Sequence, residues 1–169
     1  MPTLYDNEKD EIYAQLAAVS GIGKVYKSRR YTNNWADFLT RFKDSNDKIN
    51  VCWFWRDGGV DNTDNGIGWE DERELIEQVE EIDVWNIELF YAFKDDDTTP
   101  SELTFQNLVE AIRDKFRFLQ DLNGKADKNW PLQLLGSGLW QFLGGGPMCH
   151  RALFQLRVRR VIVNPNAEA

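Results

Sequence analysis

The stretch Val84-Trp85-Asn86-Ile87-Glu88-Leu89-Phe90-Tyr91-Ala92-Phe93 places Trp85, Ile87, Leu89, Tyr91 and Phe93 at every second position. A period of two puts those five side chains on one face of a β-strand. Immediately upstream, Glu72 to Asp83 reads two ways. Leu75, Ile76, Val79 and Ile82 fit a helix, yet no glycine or proline separates this piece from the strand. One long strand, its first part projecting from the sheet, is the rival reading.

Working outward, Ile49 to Trp55 sets Ile49, Val51, Trp53 and Trp55 against Asn50, Cys52 and Phe54. Both faces are largely apolar, which predicts a central strand covered on two sides, or one whose second face meets another subunit. Residues 8–20 predict a first helix through Ile12, Leu16 and Val19, closed by Gly21 and Gly23. Lys24 to Tyr31 has strand composition with four charges, suiting an edge. Asn33 or Asn34 can cap a second helix whose stripe is Trp35, Phe38, Leu39 and Phe42. Arg56 to Asp71, rich in Gly, Asp and Asn, reads as a long loop.

Downstream, Asp95 to Asp97 make a turn and Thr99-Pro100-Ser101-Glu102 opens a helix. Phe105, Leu108, Val109, Ile112 and Phe116 give that helix its apolar face, and Gly124 lies beyond its end. Leu132 to Leu135 and Leu139 to Leu143 predict two short strands separated by Gly136 and Gly138. Gly144 to Pro147 reads as a turn or hinge. Met148 to Val163 predicts a long final strand, with His150, Ala152, Phe154, Leu156, Val158 and Ile162 on one face. The tail 164–169 reads as disordered. The order α-β-α-β-β-α-β-β predicts an α+β domain over residues 1–163, a mainly antiparallel, mixed sheet packed with about three helices.

The chain has 169 residues, 42% of them hydrophobic and 13% aromatic, enough for a substantial core. No apolar run approaches the roughly 20 residues of a membrane-spanning helix, and the acidic start does not resemble a leader. Two cysteines, Cys52 and Cys149, make no disulfide framework and suit a reducing cytosol. The net charge of -8 is concentrated. Residues 57–83 hold eleven acids and one base, Arg73, a local charge of -10. Lys24, Lys27, Arg29 and Arg30, and again Arg151, Arg157, Arg159 and Arg160, form stretches with no acid among them. Such patterning bears on partner choice more than on fold.

A search for catalytic groups yields little. His150 is the sole histidine, so a His-rich metal site is impossible. Cys149 and His150 are adjacent on a strand and point to opposite faces, which disfavours a shared metal or a Cys-His nucleophile. The glycine runs 136–138 and 144–146 lack a P-loop's Lys-Ser/Thr and the dinucleotide spacing. Asp61 to Gly66 only faintly echoes a calcium loop. No metal or cofactor is expected, and no enzyme mechanism can be assembled from these parts.

Trp85-Asn86-Ile87-Glu88-Leu89, the acidic turn Asp95 to Asp97, then Ser101, Phe105, Leu108-Val109, Ala111-Ile112 and Phe116 resemble the tail terminator-like (tail completion) proteins of long-tailed bacteriophages and prophages. Met148-Cys149-His150-Arg151-Ala152-Leu153 resembles the closing strand of that family. The resemblance spans residues 8–163 in order, apart from 57–72 and 130–146. It implies a virion structural protein, assembled in the host cytoplasm and resident in the tail. Such proteins sit as a ring, commonly hexameric, on the tail tube, end its polymerisation and meet the head-side connector. DNA would be passing cargo, and the family has no catalytic residues to carry over.

A head-to-tail ring needs two different complementary patches on each subunit. The expected interface residues are Lys24, Lys27, Arg29, Arg30, Arg157 and Arg159 on the basic side. Asp57, Asp61, Asp64, Trp69, Glu70, Asp71, Glu72 and Glu74 stand on the acidic side, with 57–83 as a projecting arm. Acidic side chains lining a lumen, where they would repel DNA, are a variant of the same reading. A neck or stopper protein, or another tail component, is the nearest alternative. A ligand- or peptide-binding module using Trp69, Trp130 and Trp140 belongs to a different class.

Overall fold

A computed structural model describes residues 4–30, 35–44, 48–57, 78–94, 100–141 and 147–163. The helix α1 (Leu4–Ala17) leads to a short strand β1 (Lys24–Tyr26), then α2 (Trp35–Phe42). Strands β2 (Asn50–Arg56) and β3 (Gln78–Ala92) follow, then α3 (Ser101–Arg117). Strands β4 (Lys128–Asn129), β5 (Gln133–Gln141) and β6 (Met148–Val163) complete the chain. This is an α+β fold: among the described residues, three helices lie on one six-stranded sheet of order β1-β2-β3-β6-β4, with β5 also paired to β6. Among the described residues, only β1 and β2 run parallel, and every other pairing is antiparallel.

The alternation of the central strands determines the layers. Trp85, Ile87 and Leu89 of β3 join Cys52 and Phe54 of β2 and Ala152, Phe154, Leu156 and Val158 of β6 in one core. Helix α1 covers that face with Ile12 and Leu16, and α3 with Phe105, Leu108, Val109, Ile112 and Phe116. Each such side chain, once buried, stabilises the fold by roughly 1.5–3 kcal/mol relative to exposure. The opposite face has a smaller core of Phe42, Ile49, Val51, Trp53, Phe90 and Cys149. Phe42 comes from α2, so β2 is apolar on both sides because each is covered within the chain. No second subunit is needed to cover it.

Residues 78–83 are strand: β3 runs unbroken from Gln78 to Ala92. Its pairing with β2 ends at Trp85 opposite Arg56, whereas its pairing with β6 continues to Gln78 opposite Val163. Opposite Ile82 and Asp83, however, β6 still carries β4 on its other side, so among the described residues only 78–81 and 160–163 run on as a two-stranded ribbon. Residues 72–77, and with them part of the helix alternative, lie outside the described residues, as do 95–97, 144–146 and 164–169.

Three expectations need correction. Of the strand expected over Lys24 to Tyr31, the described residues 24–30 are strand only over Lys24–Tyr26, and Tyr31 lies outside the described residues. The first helix begins earlier, at Leu4, and closes at Ala17. The two short strands expected around Gly136 and Gly138 are a single strand, β5, with a bulge between Leu134 and Gly136. Glycine weakens a strand without forbidding it, and a bulge is a common place to find it.

The turn after α3 carries three successive residues in the left-handed region, Leu122 (φ 48°), Asn123 (φ 55°) and Gly124 (φ 75°). Only Gly124 does so without strain. The buried Asn129 of β4 holds the other end: its Oδ1 accepts from the Leu122 N–H at 3.1 Å and its Nδ2 donates to the Leu119 carbonyl at 2.8 Å.

Candidate functional site

The charged stretches converge at one end of the sheet, where β2 ends and the 57–83 segment departs. Lys24 lies on β1, its Nζ donating to the Thr40 carbonyl at 3.1 Å. Lys27 pairs with Asp10 of α1 and stands 4.9 Å over the Tyr13 ring. Arg29 packs on Trp55 at 3.5 Å from the ring centre, and Arg30 on Tyr26 at 5.2 Å. On the other side, Arg157 lies 5.4 Å over Trp130, which Lys128 also approaches at 5.2 Å. Arg159 is half-buried opposite Ile82. Asp57 sits where β2 ends, its N–H donating to the Val84 carbonyl at 2.7 Å and its Oδ2 accepting from Asn86 Nδ2 at 3.2 Å.

The fold thus brings Arg29, Arg30, Asp57 and Arg157 to the same sheet end. Lys24 and Lys27 turn instead toward their own helices. Asp61, Asp64, Trp69, Glu70, Asp71, Glu72 and Glu74 lie outside the described residues, and so does the faintly calcium-like segment 61–66. Among the tryptophans, Trp53 and Trp85 are core, whereas Trp140 belongs to β5 and is 45% exposed.

Beneath this end lies a buried charge cluster that sequence reading missed. Arg160 of β6 sets Nε 3.1 Å from Glu8 Oε1 of α1, and its NH2 pairs with Asp83 Oδ2 and, at 3.3 Å, with Glu81. Arg56 pairs with the other Asp83 oxygen, and Trp85 Nε1 donates to Glu8 Oε2 at 3.2 Å. Glu8 and Asp83 are wholly buried. Three carboxylates therefore face two guanidiniums. Burial pushes the Glu8 carboxyl up to about 7, with Arg160 opposing and Asp83 reinforcing the shift. A signal was present: Glu8, Asp83 and Arg160 each occupy the apolar register of their element, where a charge needs a partner.

The consequence is electrostatic. The root of the acidic segment, Glu81 and Asp83, is paired with a basic residue of the 157–160 run inside the same chain. That share of the opposite charge is satisfied without a neighbour.

A second cluster also went unnoticed. Ser101 Oγ lies 2.8 Å from His150 Nε2, and His150 Nδ1 lies 3.3 Å from Glu102 Oε2. The separations suit a nucleophile, base and acid. The surroundings do not. Ser101 Oγ accepts from the Lys94 N–H at 2.8 Å and also lies 3.0 Å from the Lys94 carbonyl. His150 is 1% exposed and stacked on Phe105 at 4.9 Å, while the Glu102 side chain is 60% exposed. A serine hydrolase has the reverse, an open hydroxyl and a shielded acid. This arrangement ties the start of α3 to the end of β3 and the start of β6. As expected from strand alternation, Cys149 turns away into the smaller core.

The sequence matches no protein-family model, and comparison with curated proteins gives no match.

Proposed function

We propose that this chain is a structural subunit of a phage or prophage tail, closing into a ring on the tail tube, ending its polymerisation and meeting the head-side connector. The observation that carries the reading is the ribbon of β3 and β6, which runs past the end of β2 where the acidic stretch 57–83 of the sequence ends. Beside its base stand Arg29 and Arg30, exposed and stacked on Trp55 and Tyr26. The acidic stretch 57–83 of the sequence and this basic edge are the two unlike patches that a head-to-tail ring requires. The elements that resemble tail terminators, β3, α3 and β6, form one packed unit, which is further support.

Size-exclusion chromatography with light scattering, at low and high salt, tests this reading together with negative-stain microscopy on purified tail tubes. Rings on tube ends, and a mass that falls as salt screens exposed charges, are expected. Tubes whose ends stay bare and whose length is unaffected by the protein would overturn it.

A further inference from the structure

Strand β5 reads Gln133-Leu134-Leu135-Gly136-Ser137-Gly138-Leu139-Trp140-Gln141. Its centre, Leu135-Gly136-Ser137-Gly138-Leu139, is the same in both directions about Ser137, and glutamine stands four places away on each side. Among the described residues β5 pairs only with β6, which leaves its other edge open. Leu135 is 51% exposed, Leu139 53% and Trp140 45%. Natural edge strands generally carry charge, proline or cover against unwanted pairing; this nine-residue strand has no charge and no proline.

The two glycines sharpen the point. Neither has a positive φ, and open space lies where a Cβ at Gly136 or Gly138 would stand. The bulge before Gly136 suits that glycine, but nothing described in the chain itself requires one at Gly138, although glycine weakens a strand. A glycine in a strand often marks a close approach by another backbone. Both lie opposite second-face residues, Leu153 and Arg151, whereas Ser137 and Leu139 lie opposite Ala152 and His150.

We infer that β5 is a self-complementary edge that pairs antiparallel with β5 of a second copy, about a two-fold axis at Ser137. Ser137 meets its own counterpart, each Gly136 meets Gly138, and each Leu135 meets Leu139. Faces match at every one of the glycine and serine positions. The opposite sheet edge is a poorer partner for β5. It has three paired residues, Lys24–Tyr26, is flanked by Lys27, Arg29 and Arg30, and offers cations to a strand with no acid. The contact is isologous. It does not depend on the ring reading, which rests on the other end and edge of the sheet.

The test uses the full chain. Light scattering on the wild type at high salt, where charged ring contacts are screened, is expected to show twice the mass of one chain as concentration rises. The double variants Leu135→Lys/Leu139→Lys and Leu135→Glu/Leu139→Glu each place like charges opposite one another. Each alone is expected to lose the dimer, with an unchanged circular dichroism spectrum, and their mixture is expected to regain it. A wild type that stays at the mass of one chain would overturn the inference. So would a dimer or hexamer indifferent to these substitutions, or a mixture that fails to restore pairing.

A second measurement does not depend on the charged variants folding. Ser137→Cys faces itself across the axis, within disulfide reach. The native thiols are buried, and burial pushes Cys149 up to about 12, leaving it unreactive. Mild oxidation should give a covalent dimer with Ser137→Cys. Leu103→Cys, 64% exposed on α3, should not. Equal cross-linking at both sites, or none at Cys-substituted Ser137, would overturn the pairing.

Discussion

Arg160 reaches from the last strand to Glu8 of the first helix, its Nε 3.1 Å from Oε1, joining residues at opposite ends of the chain. The same guanidinium pairs with Asp83 in the neighbouring strand. Helix α1 is therefore fixed to the sheet by apolar packing through Ile12 and Leu16 and by a buried ion pair one turn before them. Buried ion pairs add little net stability compared with apolar substitutes, but removing one partner is severe.

Arg160→Ala should accordingly destabilise the protein by about 3–5 kcal/mol, because Glu8 and Asp83 would remain buried with only Arg56 opposite Asp83. Urea unfolding at neutral pH measures this. A loss under about 1 kcal/mol would mean that the cluster is hydrated and that the pair does not anchor α1.

Glu8→Gln addresses the imbalance of three acids against two bases. A carboxyl held at about 7 in the folded state, against 4.5 when free, binds its proton more tightly in the native protein. Its contribution to stability is fully present below pH 4.5 and is lost as pH rises through 7. The variant lacks this loss. Its stability relative to wild type should therefore rise by about 3 kcal/mol between those limits. Unfolding free energies measured across the range would refute the assignment if the difference stayed constant.

Asn129→Ala tests the turn after α3. Without the side-chain amide, the Leu122 N–H and the Leu119 carbonyl lose their partners, and nothing offsets the left-handed backbone of the buried Leu122. A loss of about 1–3 kcal/mol is expected, with hydrogen exchange quickening first at residues 119–129. Exchange unchanged in that turn would show that the asparagine does not hold it.

What the sequence disclosed follows from how locally each feature is encoded. The period of two in Trp85, Ile87 and Leu89 and the helical spacing from Phe105 to Phe116 are set by neighbours in the chain, and both survive in the core. The continuity of β3 through Asp83 was readable because nothing breaks it. The partners of Glu8, Asp83 and Arg160 were not, since they depend on which strands lie side by side. Their placement in apolar registers announced a need for partners without naming them. Similarly, Ser101 and His150 stand 49 residues apart, and only the closing of β6 against β3 brings them to 2.8 Å. The palindrome in β5 was visible all along, but glycines at its centre read as breaks between strands until the pairing with β6 was known.

His150, the sole histidine, gives the last prediction a clean signal, since its ring resonances need no assignment among rivals. Burial against Phe105 and Phe93 holds its pKa below the usual 6.5, with Glu102 pulling weakly the other way. A base whose folded pKa is lowered contributes stability that is present above pH 6.5 and lost as pH falls toward the folded value. This runs opposite to Glu8, so it offsets part of the Glu8 change in the wild type and acts unopposed by it in Glu8→Gln. An NMR titration should place the His150 midpoint under 6.5. Ser101→Ala removes a hydrogen-bond partner from the ring and from Lys94, and should destabilise by about 1–2 kcal/mol. A midpoint at or above 6.5 in the wild type would mean that the ring is open to water and that the joint between α3, β3 and β6 is looser than its geometry implies.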